Sequence, residues 1–134
     1  MHQKGISIPL CTLFLCLFLP CAAWARDIIV TEADTGKKMV LQTGDTLSIV
    51  LEGNPTTGFT WKIASSNTSI LKEVKTTYKS ANALIGAGGI FLFTFQAVAE
   101  GTANLQCSYH RPWETESPPA KTFQLTLYIS PSNT

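Results

Sequence analysis

Apolar and polar side chains alternate with a period of two through most of this chain. Leu47, Ile49 and Leu51 share one face, as do Phe59, Trp61 and Ile63, then Phe91, Phe93, Phe95 and Ala97. The pattern returns in Leu105, Cys107 and Tyr109, and again in Phe123, Leu125, Leu127 and Ile129. Successive side chains of a strand point to opposite faces, so each run is read as a strand with one buried face. Helical spacing is nearly absent after residue 25. Ile28 to Thr31 opens the series as a short strand, which Lys38 to Gln42 is expected to continue. The polar run Glu73 to Lys79 fits a sheet edge, where lysines discourage pairing with other chains. Seven to eight short strands, separated by turn residues such as Gly44-Asp45 and Glu100-Gly101, predict an all-β sandwich in one domain. Trp61, on the third strand, suits the buried tryptophan of an immunoglobulin-like β-sandwich.

The first 25 residues stand apart. Lys4 precedes an apolar core from Leu10 to Leu19, and Ala23-Trp24-Ala25 has the A-x-A form of a leader cleavage signal. That core is too short to cross a bilayer as a helix, which takes about 20 residues. The chain therefore divides into a signal peptide, 1–25, and an exported domain, 26–134, with no membrane insertion once the signal is removed. The destination is the periplasm or the medium. Cys21 raises the alternative of a lipoprotein. Pro20 is a poor match to the small residue expected before a lipid-modified cysteine, so lipidation ranks second.

Removing 25 of the 134 residues leaves 109, enough for one modest core without cross-links. Three of the four cysteines leave with the leader, and Cys107 alone cannot form an intramolecular disulfide. It shares a face with Leu105 and Tyr109, which predicts a buried thiol. Nine basic and nine acidic residues remain, with no basic cluster interleaved with aromatics, so nucleic acid is a poor partner. His110 lies three residues from Cys107 and hence on the opposite strand face, which disfavours a nucleophile–base pair. One Cys and one His do not make a zinc site, and no cofactor is implied. Glu114 and Glu116, near Pro118-Pro119, read as solvated loop residues.

Three connections carry the rest of the information: Asn54-Pro55-Thr56-Thr57-Gly58, the segment Leu84-Ile85-Gly86-Ala87-Gly88-Gly89, and Arg111-Pro112-Trp113. Their residues fix backbone shape, since proline pre-sets φ, glycine permits positive φ or close approach, and tryptophan is a large rigid contact. Taken singly, each has an ordinary explanation: a hairpin turn, a glycine-rich turn with no helix behind it, a packed aromatic. If the six long strands run alternately up and down, however, their first, third and fifth connections emerge at one end. Three stiff, nearly uncharged tips on one scaffold describe a binding surface. Thr56 and Thr57 offer hydroxyls able to donate and accept hydrogen bonds, and Trp113 is of the type that anchors interfaces.

Asn54-Pro55-Thr56-Thr57-Gly58-Phe59 followed by Trp61, then Gly86-Ala87-Gly88-Gly89, then Arg111-Pro112-Trp113, resembles the chagasin family of cysteine peptidase inhibitors in order and spacing. The resemblance spans essentially the whole of residues 26–134. It implies a reversible, non-covalent inhibitor of papain-family cysteine peptidases, acting as a monomer, whose three loops enter the active-site cleft. Thr56 would approach the catalytic Cys and His, with Asn54, Pro55, Thr57 and Gly58 shaping that tip. Leu84, Ile85, Gly86, Ala87, Gly88 and Gly89 would run along the cleft through backbone contacts. Arg111, Pro112 and Trp113 would clamp the other flank, and His110 and Glu114 beside them would tune target preference. Two other readings remain open at this point. One is an exported adhesin-like or carbohydrate-binding module using the same end; the other is an enzyme, whose activity would depend on Cys107.

Overall fold

Each alternating run becomes a strand whose apolar face is turned into one shared core. The computed structural model describes residues 25–81 and 88–132. The strands are β1 (Asp27–Thr31), β2 (Lys38–Gln42), β3 (Thr46–Gly53), β4 (Thr60–Ser65), β5 (Leu71–Ser80), β6 (Gly89–Ala97), β7 (Gly101–His110) and β8 (Lys121–Ser130). They form two four-stranded sheets in the orders β1-β3-β6-β5 and β2-β8-β7-β4. From the first sheet Leu47, Ile49, Leu51, Phe93 and Phe95 are buried; from the second, Trp61, Leu105, Cys107, Phe123, Leu125 and Leu127 face them. This is the expected all-β, immunoglobulin-like sandwich, in which the apolar faces of two sheets bury one another.

The beginning of the domain differs from the sequence reading. Lys38–Gln42 does not continue the first strand in its sheet. β1 pairs in parallel with β3, whereas β2 pairs in parallel with β8 of the opposite sheet. The switch is made by one 3₁₀ turn, Glu32–Asp34, where the Thr31 N–H donates to Asp34 Oδ2 at 2.9 Å. Gly36, at φ 84°, then turns the chain toward the second sheet, its N–H donating to the Gln124 carbonyl at 2.7 Å. Val30 and Leu41 are both buried, so each half supplies one side chain to the core. Periodicity is the same on both sides of such a crossing and does not reveal it.

The polar fifth strand lies at a sheet edge, as its charges suggest. Beyond Leu71 its side chains are mostly exposed, and the register shifts between Glu73 and Lys75, leaving Val74 outside. Charges and an edge bulge together blunt pairing with another chain. In the opposite sheet Cys107 is fully buried, and burial, with the Glu73 carboxylate adding to it, pushes its thiol up to about 12. It remains a protonated, inaccessible core residue, which removes the enzyme reading that depended on it.

Pairing fixes where the connections emerge. Gly53 lies opposite Gly89, and Gly89 opposite Ser80; in the other sheet Thr60 lies opposite His110 and Tyr109 opposite Lys121. The β3–β4, β5–β6 and β7–β8 connections therefore leave from the same end. Residues 1–24 of the leader (including Lys4 and Cys21) and Leu84, Ile85, Gly86 and Ala87 lie outside the described residues.

Candidate functional site

The site end is built on an aromatic floor. Trp61 is buried and donates its Nε1–H to the Glu52 carbonyl at 2.9 Å. Tyr109 stacks between its neighbours, 5.1 Å from the Trp61 ring centroid and 5.2 Å from that of Phe59. Its hydroxyl accepts the Asn54 N–H at 3.0 Å, which ties the last turn of the first sheet to the second sheet. Gly53 lets the backbone approach this floor: a Cβ there would stand 2.8 Å from Phe91 Cε2 and 3.1 Å from Tyr109 Cε2. Gly53, Phe59 and Tyr109 thus support the site, although the sequence reading leaves them out. Strand register is what reveals that they meet.

Above the floor, Pro55–Thr57 form one turn of 3₁₀ helix with Asn54 as its N-cap. Asn54 Oδ1 accepts from the Thr56 N–H at 3.1 Å and from the Thr56 hydroxyl at 2.5 Å. The Thr57 hydroxyl donates to the Asn54 carbonyl at 2.6 Å, and the Gly58 N–H to the Pro55 carbonyl at 2.9 Å. Pro55 suits the start of such a turn because the missing N–H has no partner to lose. Both threonine hydroxyl protons are committed inside the turn. Of the expected ability to donate and accept, acceptance is what the exposed tip keeps: it offers lone pairs and methyl groups, without charge.

The β7–β8 connection leans on this tip. Arg111 Nε donates to the Thr57 carbonyl at 3.2 Å, and its guanidinium lies 4.4 Å above the Phe59 ring. Glu114 pairs with Arg111 Nη1 at 3.2 Å. Glu114 is therefore a loop residue that keeps more than one-third of its side chain exposed, as its neighbourhood suggests, and in addition has a partner. The Trp113 ring lies against Gly58, where an added methyl would collide with it, and Gly58 sits at φ 86°. One residue thus meets two demands that only glycine satisfies. Trp113 nevertheless keeps 67% of its surface exposed, held in place and still available. Pro112 beside it is exposed as well. The structure therefore brings Asn54, Pro55, Thr56, Thr57, Gly58, Arg111, Pro112 and Trp113 into one braced unit.

Of the second connection, Gly88 and Gly89 are described. Gly89 is the first residue of β6, where a Cβ would strike the Lys79 carbonyl and the Tyr78 hydroxyl, so its own fold requires glycine there. The Gly88 carbonyl accepts the Ala81 N–H at 3.0 Å, closing the base of the loop. His110 lies at the root of the third connection, half-buried, with Nδ1 3.4 Å from Ser108 Oγ.

Comparison with known proteins places the chain beside peptidase inhibitors. The family model described as "Chagasin family peptidase inhibitor I42" matches residues 40–127. Chagasin of Trypanosoma cruzi is 32% identical over 105 residues, covering 75% of this chain and 94% of that protein. Amoebiasin-1 of Entamoeba histolytica is 26% identical over 101 residues, covering 75% of this chain and 96% of that protein. Among solved structures, the crystal structure of a cysteine protease inhibitor from Entamoeba histolytica superposes with a TM-score of 0.73. It is 24% identical, covers 78% of this chain and 96% of its own, and supports the fold.

Proposed function

This chain belongs to the chagasin family of peptidase inhibitors, and from that premise we propose that its three-loop end inhibits papain-family cysteine peptidases by occupying their active-site cleft. The chain is an inhibitor and not an enzyme. The observation that carries the proposal is the bracing of two tips into one body, through Arg111 on Thr57 and Phe59 and through Trp113 on Gly58. Tips already ordered in the free protein lose less conformational entropy on binding, which favours affinity without a covalent bond.

In this reading Thr56 leads. Its exposed lone pairs face the protonated partner of a catalytic Cys–His pair, and no ion has to be stripped of water on entry. Asn54, Pro55, Thr57 and Gly58 hold that shape. Leu84 to Gly89 run along one side of the cleft through main-chain contacts, and Arg111, Pro112 and Trp113 take the other. Such an interface buries about 1,600 Å² in total, the usual extent for protease–inhibitor pairs. Removal of residues 1–25 delivers the domain outside the cytoplasm, to the periplasm or the medium, where it acts as a monomer.

Titrating the domain against papain with a fluorogenic peptide substrate tests this directly. Stoichiometric loss of activity that returns on dilution is expected. Full papain activity at micromolar inhibitor would overturn the proposal and move weight to a glycan-binding module. In the same assay, Trp113→Ala should weaken inhibition about thirtyfold, the effect of removing an interface anchor worth about 2 kcal/mol.

A further inference from the structure

At the opposite end of the sandwich, Asp45 is a carboxylate only 2% exposed, and it faces the beginning of the anchored chain. Its Oδ1 accepts the Arg26 backbone N–H at 3.1 Å; its Oδ2 accepts the Gln42 N–H at 2.8 Å and Arg26 Nη2 at 3.0 Å. Arg26 is also where the chain enters the fold. Its carbonyl accepts the Thr46 N–H at 2.9 Å, and β1 begins at the next residue. Ala25, one position earlier, is exposed and belongs to no strand. Arg26, held by Asp45 and by Thr46, thus directly follows Ala23-Trp24-Ala25, whose end the leader pattern marks as a cleavage point without reference to the fold.

We infer that hydrolysis of the Ala25–Arg26 bond by a signal peptidase places the new α-ammonium of Arg26 directly on the buried Asp45 carboxylate, making the processed N-terminus part of the fold. The inference rests on the leader reading made above. Water supplies hydroxyl to the Ala25 carbonyl carbon and a proton to the Arg26 nitrogen as the C–N bond breaks, and the released amine takes a second proton at neutral pH. The nitrogen need not move. A neutral donor 3.1 Å from Oδ1 becomes a cationic one, so a hydrogen bond whose acceptor is already charged gains an ion pair at the same distance. Before cleavage the one cation bonded to Asp45, among the described residues, is the Arg26 guanidinium, whose side chain is 55% exposed and screened by water. A cut at any other bond would leave the ammonium away from Asp45.

Two measurements test the two steps separately. The full chain is expressed with its leader in a host that has a secretory pathway, and the intact mass of the exported protein is read. The mass of residues 26–134 is expected, and any other N-terminus overturns the inference. Melting curves are then compared between residues 26–134 and residues 25–134, both of which contain all eight strands and the whole described core. The form carrying Ala25 should melt about 5 °C lower, and Asp45→Asn should abolish that difference. Acetylating the α-amine of the 26–134 form should lower its melting temperature by a similar amount, whether or not the Asp45→Asn variant folds. Equal melting temperatures for the free, extended and acetylated forms would overturn the ion pair, even if the mass were as expected.

Discussion

The turn at Gln42–Asp45 and the turn at Asn54–Gly58 are built alike and behave as opposites. The first leads into β3 and the second follows it, and each has a glycine at positive φ, 100° at Gly44 and 86° at Gly58. The first is organised by a buried carboxylate that collects two backbone N–H groups and a guanidinium. The second is organised by an amide and two hydroxyls, and every described group at its tip is neutral. Nothing lies within 4 Å of where a Cβ on Gly44 would be, whereas Gly58 carries the Trp113 ring. A turn that serves only the fold can bury a charge permanently. A turn that must enter another protein is better without one, because a tip charge would have to be desolvated at every encounter.

Exchanging the chemistry of the two turns is the strongest way to break this contrast. Thr56→Asp places a carboxylate at an exposed position in the first turn of a 3₁₀ helix, where it is tolerated locally. At a papain-type site, where thiolate and imidazolium offset one another, it would be stripped of water without a matching partner, and burying such a charge in an interface costs several kcal/mol. Inhibition should weaken at least about 100-fold, whereas loss of the hydroxyl's bond to Asn54 Oδ1 should cost only about 1 kcal/mol of stability and leave the protein folded. Unaltered inhibition would show that this tip does not meet the catalytic pair.

The converse change acts on stability alone. Burial opposes ionisation of Asp45, but the Gln42 and Arg26 N–H groups and the Arg26 guanidinium outweigh it, so the carboxyl sits below its ordinary range. Asp45→Asn should cost about 2 kcal/mol, lowering the melting temperature by about 10 °C, with inhibition intact below the transition. Because the folded value lies under the unfolded one of about 3.9, this stabilisation is complete above that pH. It is lost as pH falls through the folded value. Wild type and Asp45→Asn should therefore converge in stability as pH falls through that folded value, which acid titration of both melts would check. A weakened inhibitor in the folded Asp45→Asn protein would mean that the two ends are coupled.

The glycines separate the turns at finer grain. Adding a methyl at positive φ costs about 1 kcal/mol at either position. Gly44→Ala should lose only that. Gly58→Ala should lose as much and also displace Trp113, weakening inhibition about tenfold. Equal inhibition by the two variants would dissociate Trp113 from Gly58 in the working inhibitor.

Much of this is legible without the structure. Alternation in 47–51, 59–63, 91–97, 105–109 and 123–129, with the polar run 73–79, identifies six long strands, and that count implies that the three tips share an end. Two things are not legible. The crossing of β1 and β2 between sheets leaves no trace in periodicity, because Val30 and Leu41 are buried alike on either side of it. The bracing of the tips depends on long-range register: Arg111 reaches Thr57, and Tyr109 reaches Asn54, only once Thr60 is known to lie opposite His110. The engagement of Glu114 is missed for the same reason, since its partner Arg111 is in turn fixed by Thr57, 54 positions away.

That pair gives the smallest and sharpest test. Arg111 Nη1 and Glu114 Oε1 are 3.2 Å apart, with both side chains more than one-third exposed, a setting in which ion pairs contribute about 0.2–1 kcal/mol and are screened by salt. The other attachments of Arg111 are of a different kind: a hydrogen bond to the Thr57 carbonyl and a position over the Phe59 face. Glu114→Gln keeps a hydrogen-bond acceptor at the same reach and leaves those two attachments in place. Inhibition should therefore weaken less than about threefold at low salt, and the difference from wild type should vanish near about 0.5 M salt. A loss of tenfold or more that persists in salt would mean that Glu114 itself meets the peptidase, and that the third tip carries charge where the first carries none.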